Sequence, residues 1–177
     1  EGLRTRKTVN GITTDYYWLN GTLQAQKTGD EYILFLYDES GSAYGMILKN
    51  GDVEECYYYV YNLQGDVVGI IDESGNTVVE YSYNAWGVLE SVTGTLANTI
   101  GQKNPLRYRG YYYNGETGFY YVSSRYYDSE VGRFISPDTT EVLTATPNAL
   151  TNKNLYAYCD NNPVVREPTM VANFGIG

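Results

Sequence analysis

The chain has 177 residues, enough for one domain with a buried core. Its formal net charge is −9, from 12 basic and 21 acidic residues, and this disfavours nucleic-acid binding, which needs clustered Lys and Arg. The absence of histidine removes the commonest general base and transition-metal ligand. No run approaches the ~18 apolar residues of a membrane helix, so no membrane span is predicted.

The composition favours a fold built from many short strands. The chain contains 21 Tyr and 19 Gly but only 5 Pro. Tyrosine suits half-buried pleated surfaces, where its ring packs and its hydroxyl finds a partner. We therefore predict an all-β protein with glycine turns.

Turn signals recur about every ten residues in the first half of the chain, with strand-like runs between them. Such spacing predicts an antiparallel β-meander in which successive strands pair. The turn signals are Asn10-Gly11, Asn20-Gly21, Thr28-Gly29-Asp30, Glu39-Ser40-Gly41, Asn50-Gly51, Gln64-Gly65-Asp66 and Ser74-Gly75-Asn76, of which Asn50-Gly51 and Ser74-Gly75 are expected to be hairpin turns. The runs are Tyr32–Tyr37, Tyr44–Leu48, Cys56–Tyr61, Val67–Ile71 and Thr77–Tyr83.

A longer period overlies the first one. Three copies of Tyr-Asx-x-x-Gly recur about 23 residues apart, and two later copies carry one extra residue before Gly. This is the period of a two-stranded unit in a stacked array. Each Asx is expected to cap the bend, and each Gly to supply its left-handed corner. The copies are Tyr37, Asp38, Gly41; Tyr61, Asn62, Gly65; Tyr83, Asn84, Gly87; Tyr113, Asn114, Gly118; and Tyr127, Asp128, Gly132.

Some segments depart from this rhythm. The run Tyr32–Tyr37 is apolar on both faces, which predicts a cover on each side. Thr93–Lys103 and Thr139–Lys153 are polar and are predicted to be loops. At most a short helix is expected near the C-terminus, where Leu155, Tyr158 and Cys159 have helical spacing.

Several residues are candidates for catalysis or metal binding, but for each of them we favour a structural role. Asp128 and Asp138 are candidate catalytic carboxylates but more often such residues cap turns. Cys56 and Cys159 form no ligand pair and are interpreted as packed thiols rather than a disulfide. Four candidate Ca²⁺ ligands lack the dense spacing of a calcium loop; they are Asp38, Asp66, Asp72 and Asp160.

Four arginines lie among tyrosines, and stacking on the rings is favoured over a ligand-binding surface. They are Arg107, Arg109, Arg125 and Arg133. The first two alternate with Tyr108, as side chains on one face of a strand would.

The chain resembles the C-terminal part of an Rhs (YD-repeat) protein. The early copies, including Trp18–Gly21 and Leu34–Gly41, resemble YD repeats, and Asn104–Pro163 resembles the Rhs repeat-associated core. Within that core, Gly132–Asp138 and Asn154–Pro163 match especially well. The expected division is 1–103 for the repeats, 104–168 for the core and 169–177 for a divergent tail.

This resemblance implies a segment of a spiralling β-shell that encloses or presents a C-terminal toxin, in a bacterial protein that is secreted or at the cell surface. Teneurins use the related architecture at cell surfaces. Expected partners are the remaining YD repeats of the polypeptide, a C-terminal toxin or an immunity protein. Open sheet edges also predict self-association. No cofactor or metal is implied. Because Glu1 is not methionine, we expect the chain to begin inside a longer protein.

Many family members carry an aspartyl autoprotease, but its residues do not transfer to this sequence. Glu167 stands where the family has Asp in Asp-Pro-x-Gly, and no Gly follows Pro168. An aspartyl dyad needs two carboxyls that share a proton. We therefore predict no enzyme activity, with Glu167 as a degenerate autoprotease position. The alternatives are an adhesive or carbohydrate-binding module that uses exposed Tyr and Trp18, and a remnant of a self-cleaving peptidase.

Overall fold

The computed structural model describes residues 3–122, 125–137 and 156–165, which form two antiparallel sheets. The first has nine strands in chain order, and the second has four. This confirms the predicted all-β meander. The strands of the first sheet are β1 Arg6–Val9, β2 Ile12–Leu19, β3 Thr22–Thr28, β4 Glu31–Tyr37, β5 Ala43–Asn50, β6 Val53–Tyr61, β7 Val67–Asp72, β8 Thr77–Tyr83 and β9 Leu89–Thr93. Those of the second are β10 Tyr112–Asn114, β11 Phe119–Val122, β12 Arg125–Asp128 and β13 Arg133–Phe134.

Two kinds of two-residue loop join the tightest hairpins. In Asn10-Gly11 both residues have positive φ, 51° and 79°, as the mirror-image hairpin turn requires. The predicted turn at Asn50-Gly51 is shifted by one residue, because Asn50 ends β5 and pairs with Val53. Its loop is Gly51-Asp52, in which glycine alone takes positive φ.

The core lies between one face of the nine-stranded sheet, here called the inner face, and the segment 96–122. Tyr112 and Gln26 connect the two layers through a 2.7 Å hydrogen bond from the Tyr112 hydroxyl to Gln26 Oε1. The predicted two-sided cover of β4 is only half right. Ile33 and Phe35 are buried on the inner face, whereas Leu34 is only half-buried.

The segment after β9 contains a short helix, α1 Ile100–Lys103, within the predicted loop Thr93–Lys103. Near the C-terminus, the described residues contain the 3-10 helix Cys159–Asn161, which agrees with the prediction of at most a short helix there. Leu155 and the predicted loop Thr139–Lys153 lie outside the described residues.

Three other expectations concern the cysteines, the sheet edges and the division of the chain. Cys56 and Cys159 are not linked by a disulfide. Strands β1 and β9 form the edges of the first sheet, and self-association through them stays a prediction. The division at residue 103 also stays a prediction. None of the described helices is long and apolar enough to cross a membrane.

Candidate functional site: the motif edge and its tyrosine ladder

The Asx turns of the first sheet share one hydrogen-bond pattern. In the turn 38–42, the Asp38 carboxylate accepts the backbone N–H groups of Ser40 and Ser42, both at 2.9 Å. The Ser40 hydroxyl and these N–H groups hold the pKa of Asp38 below its usual value. Asn62 and Asn84 accept the corresponding N–H groups of their own turns at 2.9 to 3.1 Å.

A further turn of this kind follows β7. The sequence predicts a hairpin turn at Ser74-Gly75, but the repeated motif as defined there does not include Asp72. Asp72 accepts the N–H groups of Ser74 and Asn76 at 2.9 Å, and Gly75 has φ 83°. Ile71 precedes Asp72, so a search for Tyr-Asx passes over it. The spacing Asx-x-x-Gly without tyrosine would have found it.

The turn without a tyrosine differs from the Tyr-Asx turns in its place in the sheet. Turns of a meander alternate between the two ends of its strands. The three Tyr-Asx turns of the first sheet share one end, here called the motif edge, and the turn 72–76 lies at the opposite end. In the first sheet, the Tyr-Asx turns therefore all lie at the motif edge.

At the motif edge, each motif tyrosine donates its hydroxyl to a main-chain carbonyl of the preceding hairpin. Tyr37 binds the Leu23 carbonyl at 2.6 Å, and Tyr61 binds that of Ala43 at 2.6 Å. Tyr83 continues the series on Val67 at 3.0 Å. These regular contacts are here called the tyrosine ladder.

Trp18 adds a rung at the start of the ladder. It lies two residues before Asn20 of the Asn20-Gly21 turn, and its indole N–H donates to the Arg4 carbonyl at 2.8 Å. Trp18 is half-buried and packs against the core, so it does not offer an open stacking surface.

The ladder fills openings between neighbouring hairpins. Strand pairing ends before the motif edge in all three cases, at Ala25–Leu34, Gly45–Tyr58 and Gly69–Glu80. The openings beyond these pairs are here called gaps one, two and three. A tyrosine hydroxyl supplies the hydrogen bond that the separated strand no longer makes. Phenylalanine has no hydroxyl and could not donate this bond.

A β-bulge accompanies every rung. The pairing shifts register next to Trp18, Tyr37, Tyr61 and Tyr83. Bulges bend a strand and increase its twist. Because they recur at one edge, they curve the ribbon repeatedly in the same way.

The turn 84–88 is also the junction with the second sheet. Three hydroxyls donate to three successive carbonyls of this turn: Tyr108 to Ala85 at 2.9 Å, Tyr127 to Trp86 at 2.8 Å and Tyr120 to Gly87 at 2.7 Å. These tyrosines are buried, and burial raises their pKa values.

The two motifs of the second sheet differ from each other. Asp128 accepts the N–H groups of Glu130 and Val131 at 3.0 and 3.3 Å, as a turn cap does. Asn114 instead turns its carbonyl oxygen to Arg4 Nη1, at 2.7 Å, and donates to the Phe119 carbonyl. Gly118 and Gly132 have φ 75° and 71°. Asn114 thus ties the second sheet to the chain before β1.

The arginine prediction needs one correction. Tyr108–Gly110 is a 3-10 turn rather than a strand. Arg109 has φ 51° there, and its N–H donates to the Asp66 carboxylate at 2.9 Å. Arg107 and Arg109 therefore do not share a strand face. Stacking does occur: Arg107 lies 4.4 Å from the Tyr113 ring centroid, and Arg125 lies 3.7 Å from that of Phe134.

The candidate catalytic and metal-binding groups do not converge in the part of the chain that the structure describes. That part holds no cluster of three His, Cys, Asp or Glu residues suited to a metal. Asp66 is buried and bonded to Asn62 and Arg109, and Asp160 lies in the 3-10 helix Cys159–Asn161. Asp138 and Glu167 lie outside the described residues.

The ladder predicts a measurable loss of stability for Tyr37→Phe. Burial raises the pKa of Tyr37 to about 12, and removal of its hydroxyl leaves the Leu23 carbonyl without this donor. We expect the free energy of unfolding to fall by about 1–2 kcal/mol. The matched control is Tyr17→Phe, since the Tyr17 side chain is 47% exposed, and it should change stability by less than about 0.5 kcal/mol. Equal losses in urea unfolding would refute the role of the ladder.

Comparison with known proteins agrees with this repeat geometry. A family model described as Teneurin YD-shell matches residues 21–164. The tRNA3(Ser)-specific nuclease WapA of Bacillus spizizenii is 36% identical over 167 residues, which cover 93% of this chain and 7% of WapA. The double-stranded DNA deaminase toxin A of Burkholderia cenocepacia is 37% identical over 84 residues, 45% of this chain and 6% of that protein.

A solved structure has the same fold. The crystal structure of TcdB2-TccC3-Cdc42 matches with a TM-score of 0.67 and 21% identity, over 92% of this chain and 8% of the other. The chain thus spans only a small part of the proteins that it matches. Since the family model and WapA both cover most of it, the chain belongs to the teneurin YD-shell family and is an Rhs/YD-repeat shell segment.

Proposed function

We propose that this chain is part of the wall of a hollow YD-repeat shell that encloses a toxin carried by the same polypeptide. The tyrosine ladder is the observation that carries the proposal. Each rung joins one hairpin to the one before it. The same contact can be repeated with every added hairpin, so the sheet can grow by further repeats. The bulge beside each rung bends the strand that carries it.

The junction at the turn 84–88 supports a terminal position for the second sheet. There the ladder ends, and three tyrosines anchor β11, β12 and the 3-10 turn onto one bend of the ribbon. The second sheet and its approach cover the inner face, so the ribbon is closed over at this point. Such a closure suits a wall near one end of a shell.

The relatives supply the proposed cargo. WapA is named as a nuclease and toxin A as a deaminase, yet this chain matches only 7% and 6% of their lengths. We assign the named activities to other parts of those proteins, and propose that this segment is not an enzyme. A secreted or cell-surface location and a C-terminal toxin as partner belong to the same proposal.

The adhesive alternative is weaker. Its stacking platform would need a row of open rings, but Trp18 is half-buried with its N–H bonded. The exposed tyrosines of the described residues come from four different strands and from the C-terminal segment; they are Tyr17 in β2, Tyr44 in β5, Tyr61 in β6, Tyr126 in β12, and Tyr156. No observation specifically favours carbohydrate binding.

Protease protection tests the shell. In the complete polypeptide that contains this chain, the toxin region should survive trypsin about tenfold longer than the same region expressed alone, because an enclosed segment must first be exposed. The triple variant Tyr37→Phe, Tyr61→Phe, Tyr83→Phe should shorten this survival, whereas Tyr17→Phe should not. Equal digestion of the enclosed and isolated toxin regions would contradict the proposal.

A further inference from the structure

We propose that three tyrosine rings between the first and second sheets form a binding site for a guanidinium group, which Arg4 occupies as a clasp that holds the sheets together. The rings belong to Tyr16 of β2, Tyr112 of β10 and Tyr121 of β11, and are here called the tyrosine cage. The ligand class is an alkylguanidinium, which the chain itself supplies. This site does not depend on the proposed enclosure of a toxin.

The three rings meet on the guanidinium group of Arg4. Its Cζ atom lies 4.4 Å from the ring centroid of Tyr16, 4.9 Å from that of Tyr112 and 5.1 Å from that of Tyr121. Each distance is within the ~6 Å range of a cation–π contact, which is strongest where water is excluded. The tyrosine cage therefore stabilises a cation at its centre.

Contacts that do not involve Arg4 hold the rings in place. The hydroxyls of Tyr16 and Tyr112 lie 3.2 Å apart, and that of Tyr112 donates to Gln26 Oε1 at 2.7 Å. Tyr112 also pairs with Tyr121 across β10 and β11. All three cage residues are buried. A site whose walls are fixed by other bonds keeps its shape without its ligand, so removal of the arginine side chain should leave a preformed cavity.

The polar contacts of the site suit a guanidinium group. Asn114 is buried, and its Oδ1 accepts Arg4 Nη1 at 2.7 Å, while its own amide donates to the Phe119 carbonyl at 3.1 Å and is thereby oriented. The Tyr126 hydroxyl accepts the same Nη1 at 3.4 Å. Arg4 Nε is buried without a hydrogen-bond acceptor, and the negative faces of the surrounding rings offset this part of the charge.

An ammonium group lies beside the tyrosine cage but does not enter it. Lys7 Nζ is 2.8 Å from Glu116 and 3.5 Å from Asn114 Oδ1, yet it lies 6.0 Å from the Tyr112 ring centroid. None of the ion pairs among the described residues includes Arg4. The chain thus places its lysine against a carboxylate and its arginine against the rings, as the weaker hydration and planar shape of guanidinium favour.

Occupation of the tyrosine cage fastens the segment before β1 to both sheets. On the first sheet, the Thr5 carbonyl accepts the Tyr16 N–H at 2.9 Å, and the Arg4 carbonyl accepts the Trp18 indole N–H at 2.8 Å. On the second sheet, the Arg4 side chain binds Asn114, 110 positions away. The turn 84–88 anchors the second sheet next to β8 and β9, and Arg4 anchors it next to β2.

Chemical rescue of the 177-residue chain tests the site. Arg4→Ala should raise the unfolding equilibrium constant about tenfold or more, because the clasp is lost. Methylguanidinium at about 20 mM should restore about half of the lost urea midpoint, since it binds the folded state and is too dilute to denature. Methylammonium carries the same charge without the planar fork and should restore much less. Equal rescue by both ions, or rescue by neither, would overturn the proposal.

Arg6→Ala is the matched control. Arg6 lies two positions from Arg4, but its side chain is exposed and donates to Asp15 at 2.6 Å. Its removal should change the unfolding equilibrium constant by less than about threefold, and methylguanidinium should have no effect on this variant. Equal stabilisation of both alanine variants by methylguanidinium would mean that the ion acts on the general surface, and would refute the site.

Two further measurements separate a guanidinium site from a general cation site. Arg4→Lys keeps the positive charge but should lose most of the stability that Arg4→Ala loses. A lysine variant as stable as the original chain would contradict the proposal. The unchanged chain gives a test that needs no variant: ring currents of the tyrosine cage should move the Arg4 Nε–H proton resonance upfield of that of Arg6. Equal positions of the two resonances would place Arg4 outside the cage.

Discussion

Gly87→Ala is expected to destabilise the protein by about 2–4 kcal/mol, since two costs add. Gly87 has φ 89°, where an alanine is strained by about 1 kcal/mol. A Cβ there would lie 2.5 Å from Tyr108 Cδ1 and 2.7 Å from its Cγ. The ring cannot retreat cheaply, because it is buried and its hydroxyl is held by Ala85, so overpacking adds about 1–3 kcal/mol.

Gly65→Ala is the matched control for this prediction. Gly65 occupies the same place in its own turn and has φ 82°, but an added Cβ would meet nothing within 4 Å. It should lose only about 1 kcal/mol. Urea unfolding followed by Trp fluorescence gives both values, and their difference is the cost of the contact with Tyr108. Equal losses would mean that the junction tolerates a side chain.

Alkaline unfolding between about pH 11 and pH 13 is the second large effect. Burial raises the pKa of Tyr37 and Tyr111 to about 12, and raises that of Tyr59 and Tyr158 as well. An unfolded tyrosine ionises near pH 10. Folding therefore retains protons that the unfolded chain releases, so stability is fully present below pH 10 and is lost as pH rises through the folded pKa values.

The steepness of this loss follows from the number of buried tyrosines. Each fully buried tyrosine that stays protonated only in the folded state costs about 1.4 kcal/mol per pH unit above pH 10. Three of them remove about 4 kcal/mol per unit, enough to exhaust a stability of about 5–15 kcal/mol within a few units. Tyrosinate absorbance and β-sheet circular dichroism should change together. Smooth ionisation of all tyrosines near pH 10 with native dichroism retained would contradict this coupling.

The sequence by itself determined the meander, because its signals are local. An Asn-Gly pair takes positive φ at any hairpin, and Asp38 or Asn62 binds N–H groups within four residues of itself. Period and turn chemistry also led to the YD-repeat resemblance, which the family comparison confirmed. The turn at Ser74-Gly75 was predicted too, but its cap Asp72 was not recognised as a copy of the motif, because the motif was defined with a tyrosine before it.

Only the tertiary structure decided what the motif tyrosines do. The hydroxyl of Tyr61 reaches a carbonyl 18 positions away, and that of Tyr127 reaches one 41 positions away. No local pattern encodes those partners, because they depend on where strand pairing stops and on how the second sheet lands on the turn 84–88. The same holds for Arg109. Its alternation with Tyr108 predicted a strand, but Arg109 lies in a 3-10 turn and its N–H binds the Asp66 carboxylate, 43 positions away. The turns depend on residues that are adjacent in the sequence, whereas the ladder, the junction and the gaps arise from contacts between residues that are distant in it.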